Sequence, residues 1–252
     1  MKKYRRFIPL VIPLIVWFLS QAFLLEPPFF YSALALGVLL ITLSVRSIVR
    51  QNAAGDWPPF IISPVLFFLS FSTYATMIVG RFWIQLIFLL VAWFLFSYFK
   101  NLYYYSTYSV PERADKLDSL LSGGGFLTIF AAAGVLFGLP TFLNWPLIAT
   151  LSIFVPIAWL LLIQFFPLKV GWHPSGNLLF IMVMILTELA WVFSLLPLSF
   201  NLLAFFLAIA YYLSILIVRL DSRGGLVFSA LKLPLILSAI AVLVLLLTAR
   251  WL

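Results

Sequence analysis

The stretch Phe200–Val218, FNLLAFFLAIAYYLSILIV, carries no charge over 19 positions and is closed by Arg219, with Arg223 four residues later. At 1.5 Å per helical residue it reaches about 28 Å, close to the ~30 Å hydrocarbon thickness of a bilayer. It reads as a membrane helix with a basic stop at one end.

Working outward, the same pattern recurs. The other apolar runs are Phe7–Leu25, Phe29–Val45, Ile61–Val79, Phe82–Tyr98, Phe126–Phe142, Trp145–Phe166, Leu178–Leu196 and Leu226–Ala249, giving nine candidate spans. Composition agrees: 65% of the 252 residues are hydrophobic, 9% are charged, and mean hydropathy is +1.20. That balance excludes a soluble globular chain. The fold expected is an all-α polytopic membrane bundle forming one integral membrane domain over residues 1–252.

The charges orient it. With the N-terminus inside, Lys2, Lys3, Arg5, Arg6, Arg46, Arg50, Lys100, Arg113, Lys116, Lys169, Arg219 and Arg223 fall in the cytoplasm. Arg81 and Arg250 fall outside, and Lys232 lies within the last span. Twelve of 15 basic residues on one side satisfy the positive-inside rule, with the C-terminus outside. The expected location is a bacterial or archaeal cytoplasmic membrane. The +8 charge suits an anionic inner leaflet, so membrane lipids are the expected partners, together with a membrane-protein partner. Basic residues dispersed at helix ends do not form a nucleic-acid surface.

Met1–Arg6 followed by Phe7–Leu25 is similar to a signal peptide, and Ser20-Gln21-Ala22 imitates a cleavage site. The run outlasts a usual signal core, however, and reads as the first span. The absence of cysteine excludes disulfides and thiolate chemistry.

Between the fourth and fifth spans, Tyr98, Tyr103, Tyr104, Tyr105 and Tyr108 suit the headgroup layer. Pro111 and Glu112 open a helix over about 111–122. Its apolar Ala114, Leu117, Leu120 and Leu121 predict that it lies on the membrane surface, with Gly123-Gly124-Gly125 ending it.

Glu112, Asp115 and Asp118 repeat every third residue and share a helix face, while Asp221 sits in the loop four spans later. Two acidic cytoplasmic loops at that separation resemble intramembrane prenyltransferases of the UbiA type. The resemblance implies Mg²⁺ and a lipid phosphate or diphosphate, with these acids as catalytic candidates. This chain lacks that family's dense paired-Asp motifs. Ser122-Gly-Gly-Gly125-Phe-Leu also matches Ser222-Arg-Gly-Gly225-Leu-Val at an offset of 100 residues, as a parallel internal repeat would.

Inside the spans, Glu188 is the acidic outlier near a helix centre. An ionised carboxylate there costs several kcal/mol, so a partner, a wet cavity or protonation is expected. Lys232 and Arg81 are the candidate partners, and Gln85 is a further polar candidate. Ser70, Ser72, Thr73, Thr76 and Thr187 are expected to bond mainly within their own helices. Pro9, Pro13, Pro64, Pro156 and Pro234 each remove a helix donor, and Gly134-Val-Leu-Phe-Gly138 is a close-packing face.

His173 reads as a turn residue. No phosphate-binding loop, nucleophile elbow, zinc or dinucleotide motif occurs, and no resident cofactor is expected. The functional expectation is a non-enzymatic small transporter, lipid-handling protein or membrane-complex subunit. The alternative is Mg²⁺-dependent chemistry on a lipid phosphate at the cytoplasmic face.

Overall fold

The computed structural model describes residues 6–21, 27–49, 57–108, 111–164, 176–222 and 228–248. Expectations for Lys2, Lys3, Arg5, Ala22, Glu26, Arg50, Lys169, His173, Arg223, Gly224, Gly225 and Arg250 lie outside these residues, as do those for the side chains of Tyr108, Glu112, Arg113 and Ser222.

Nine α-helices and no strands occur among the described residues. They are α1 (Ile8–Ser20), α2 (Pro27–Val49), α3 (Pro59–Ala75), α4 (Arg81–Tyr108), α5 (Pro111–Leu143), α6 (Leu147–Ile163), α7 (Gly176–Phe193), α8 (Phe200–Ser222) and α9 (Phe228–Thr248). Each falls on one of the apolar runs. Among the described residues, five segments, within α2, α4, α5, α7 and α8, are long and apolar enough to cross a membrane. The apolar helical segments Ile8–Ser20, Pro59–Ala75, Leu147–Ile163 and Leu231–Leu247 are shorter. Only a helix or a closed barrel satisfies backbone groups in hydrocarbon, which is why hydropathy and helicity coincide here.

Proline marks several starts. Pro27, Pro59 and Pro111 are first helical residues, where the missing N–H costs nothing. Between α3 and α4 the chain reverses at Gly80, whose φ of 112° favours glycine. Between α5 and α6 it turns at Asn144, with φ of 54°, a left-handed value that asparagine tolerates.

The helices form two compact units, Met1–Gly125 and Phe126–Leu252. In the first, α1 packs on α4 and α2, α2 on α3 and α4, and α3 on α4. Phe67 and Phe94 stack with ring centroids 3.9 Å apart. In the second, α6 packs on α7, α7 on α8, and α8 on α9. Phe205 of α8 meets the edges of Phe126 and Phe130.

Lipid tails are as apolar as leucine, so close packing and internal hydrogen bonding, rather than exclusion of water, must hold the helices together. Thr73, Thr76 and Thr187 each donate to a carbonyl of the preceding turn, as their sequence context predicts, whereas the buried Ser72 hydroxyl, for which the same bond was expected, has no hydrogen-bond partner among the described residues. Gly134 and Gly138 are buried, in line with a close-packing role.

Tyr98 corrects an expectation. It is wholly buried in the protein rather than half in lipid with its hydroxyl meeting water, and that hydroxyl donates to the Phe60 carbonyl at 2.6 Å. That carbonyl would ordinarily receive the N–H of residue 64, which is Pro64. Tyr211 of α8 acts similarly, donating to the Leu161 carbonyl in the last turn of α6 at 3.2 Å. Two buried tyrosines thus serve acceptors that the helical ladder leaves over.

The second correction concerns residues 111–143. A surface helix ended by Gly123-Gly124-Gly125 was the expectation, but α5 runs unbroken through all three glycines. Each glycine costs roughly 1 kcal/mol relative to alanine in a helix, less than the penalty for leaving backbone groups unpaired at the buried Gly124 and Gly125. Gly124 is buried against Phe94, and a Cβ there would collide with the ring. The glycine is needed for close approach rather than for a stop.

Candidate functional site

The intramembrane polar candidates separate into a bonded pair and exposed charges. Gln85, one turn into α4, donates its Nε2 to Oε1 of Gln21 at the end of α1, at 2.6 Å. The sequence singled out Gln85; its partner was hidden inside a cleavage-site resemblance. Arg81 is exposed at the first residue of α4.

Glu188 lies on the exposed face of α7. Its neighbours one turn away on either side, Met184, Ile185, Trp191 and Val192, are also exposed. Lys232 is exposed on α9, above the exposed Leu235 and Ile236. The structure therefore places neither charge in a buried cavity within its own unit.

The acidic candidates are divided between the two units. Asp115 is exposed and Asp118 half-buried on the first turns of α5, in the first unit. Ser119 and Ser122 donate to the backbone carbonyls of Asp115 and Asp118, an intrahelical pattern. Asp221 is half-buried in the last turn of α8, in the second unit. Among the described residues, no three His, Asp or Glu side chains gather closely enough to hold a metal ion.

Among the described residues, two openings between helices stand out. In the second unit, about 320 Å³ is bounded by Phe205, Ile209 and Tyr212 of α8 and by Leu233, Pro234 and Leu237 of α9. In the first, about 640 Å³ lies between α1 and α4, and its lining is entirely apolar in residue type. Leu10, Pro13 and Leu14 form one wall; Leu86, Leu89, Leu90, Ala92, Trp93 and Phe96 form the other. Leu10, Leu14, Leu89 and Trp93 are all more than half exposed, so the opening is a groove on the outer surface of this unit.

The Gln21–Gln85 bond sets the register of the two walls. It joins the C-terminal end of α1 to the N-terminal end of α4, making the pair antiparallel. Stepping back along α1 and forward along α4 by equal numbers of residues brings Leu14 level with Ala92 and Leu10 level with Phe96. From Leu86 to Phe96 the groove is about 15 Å long, half the hydrocarbon thickness. Pro13 sits in its wall, where a proline commonly bends a helix.

Lys100 follows Phe96 by one turn, and its Nζ stands 5.7 Å from the centre of the Phe96 ring. The ammonium thus lies over a wall residue at the end of the groove away from the glutamine pair. At the end of α2, the Arg46 guanidinium stands 5.5 Å from the centre of the Trp57 ring. Each contact combines a cation with an aromatic face.

Comparison with known protein families, curated proteins and solved structures finds no match for the chain.

Proposed function

We propose that the chain is a multi-pass lipid-handling protein that takes a diacyl lipid chain into the α1/α4 groove. The reading includes nine crossings and an inside N-terminus, in a bacterial or archaeal cytoplasmic membrane. What carries it is the apolar groove of about 640 Å³, open on the outer surface and one leaflet deep. A polar solute would gain nothing from such a lining, whereas an acyl chain fits it chemically. The positive-inside distribution supports the orientation.

The test is retention of native lipid after extensive detergent washing, measured by mass spectrometry on the intact chain. Wild type should keep a stoichiometric diacyl lipid, and Ala92→Phe, which narrows the groove midway along its α4 wall, should release it. Equal stripping of both proteins, with both still folded, would remove the lipid-handling reading.

A further inference from the structure

We infer that the groove selects a phospholipid with a net negative headgroup, whose phosphate is held between Arg6 and Lys100. The inference rests on the lipid-handling reading of the same groove and adds to it the chemistry of the headgroup.

The register supplies the geometry. Gln21 and Gln85 pin the far ends of α1 and α4 together. The same antiparallel stepping that aligns Leu10 with Phe96 brings Arg6 level with Lys100. Helical bonding begins at Phe7, whose carbonyl accepts from both Leu10 and Val11, so the stepping extends almost to Arg6. Both cations are exposed. Lys100 folds back over Phe96, a groove wall, placing its charge at the groove mouth. Phe96 to Lys100 adds about 6 Å to the 15 Å groove, the step from hydrocarbon to headgroup.

The energetics point to the headgroup as the source of selectivity. An acyl chain leaving bulk lipid for the groove exchanges one apolar surrounding for another, without a hydrophobic gain. Packing can retain the chain but does not distinguish headgroups, because all diacyl lipids carry similar tails. The two cations do distinguish them, since a phosphate lacking a compensating ammonium meets attraction from both. With the N-terminus inside, the mouth faces the cytoplasmic leaflet, where anionic lipid is available.

The experiment reconstitutes the full chain in mixed nanodiscs containing equal phosphatidylglycerol and phosphatidylcholine. It measures by native mass spectrometry which lipid remains bound after the disc is disrupted. Wild type should retain phosphatidylglycerol preferentially. Arg6→Gln and Lys100→Gln should each reduce the preference about fivefold, and the double variant should approach no preference. Lys116→Gln, an exposed cation on α5, should keep the wild-type preference.

Because Arg6 and Lys100 are exposed, their substitution should leave thermal unfolding unchanged, which excludes misfolding as the cause. A double variant with the wild-type preference would overturn the headgroup assignment. If wild type retains both lipids equally and Ala92→Phe releases both, the assignment falls while the lipid-handling reading stands. If Ala92→Phe retains the same lipids as wild type, both fall.

Discussion

The Tyr98 hydroxyl donates to the Phe60 carbonyl at 2.6 Å, supplying a donor where Pro64 has none to offer. The pair joins α4 to α3 across 38 positions of sequence. A carbonyl shut away inside the protein without a donor is costly, so a tyrosine at this position makes a proline in α3 tolerable.

Tyr98→Phe should therefore destabilise the protein by about 1–3 kcal/mol, the cost of leaving a buried acceptor unpaired. In a Pro64→Ala background the helix provides its own N–H, and the same tyrosine change should cost markedly less. Thermal unfolding of the four proteins in one detergent measures the coupling. Additive effects would mean that the proline and the hydroxyl are independent.

Adjacent glycines in α5 should respond with opposite signs. A Cβ at Gly124 meets the Phe94 ring, whereas one at Gly123 meets nothing within 4 Å. Gly124→Leu should cost about 1–3 kcal/mol through overpacking. Gly123→Ala should add roughly 0.5–1 kcal/mol by reducing the freedom of the unfolded chain. The same unfolding assay checks both, with Phe94→Ala expected to relieve part of the Gly124→Leu defect.

Gln85→Leu should lower stability by about 0.6 kcal/mol and by no more than about 1.7, the range for hydrogen bonds between membrane helices. Removing both carboxamides, in Gln21→Leu with Gln85→Leu, should cost less than the two single losses added together, because no orphaned amide remains. A double-mutant cycle provides the comparison.

Glu188→Leu should preserve folding and raise thermal stability in lipid nanodiscs, because it replaces an outward carboxyl flanked by Met184, Ile185, Trp191 and Val192 with a side chain of their kind. Lipid retention in the α1/α4 groove should be unchanged. Loss of folding would show that the carboxyl is held by a partner rather than facing lipid.

The apolar runs made the helices legible because hydropathy is a property of neighbouring residues. Tyr98 was misplaced for the same reason. A tyrosine near a span end ordinarily meets water, and nothing within α4 reveals that Pro64 leaves an acceptor open on another helix. Gln85 stood out as a polar residue in a span, but Gln21 lies 64 positions away. Glu188 stood out as a charge within an apolar run, while its outward orientation depended on which face of α7 packs against its neighbours.

By itself, then, the sequence determined a helical membrane protein and the apolar run underlying each helix, because hydrocarbon thickness and backbone hydrogen bonding impose length and hydropathy locally. Tertiary structure decided that α5 continues through Gly123–Gly125, that Gly124 admits the Phe94 ring, and that a groove opens between α1 and α4. These features arise from the packing of helices distant in sequence, and their register depends on pairs such as Gln21 with Gln85 that no local pattern records.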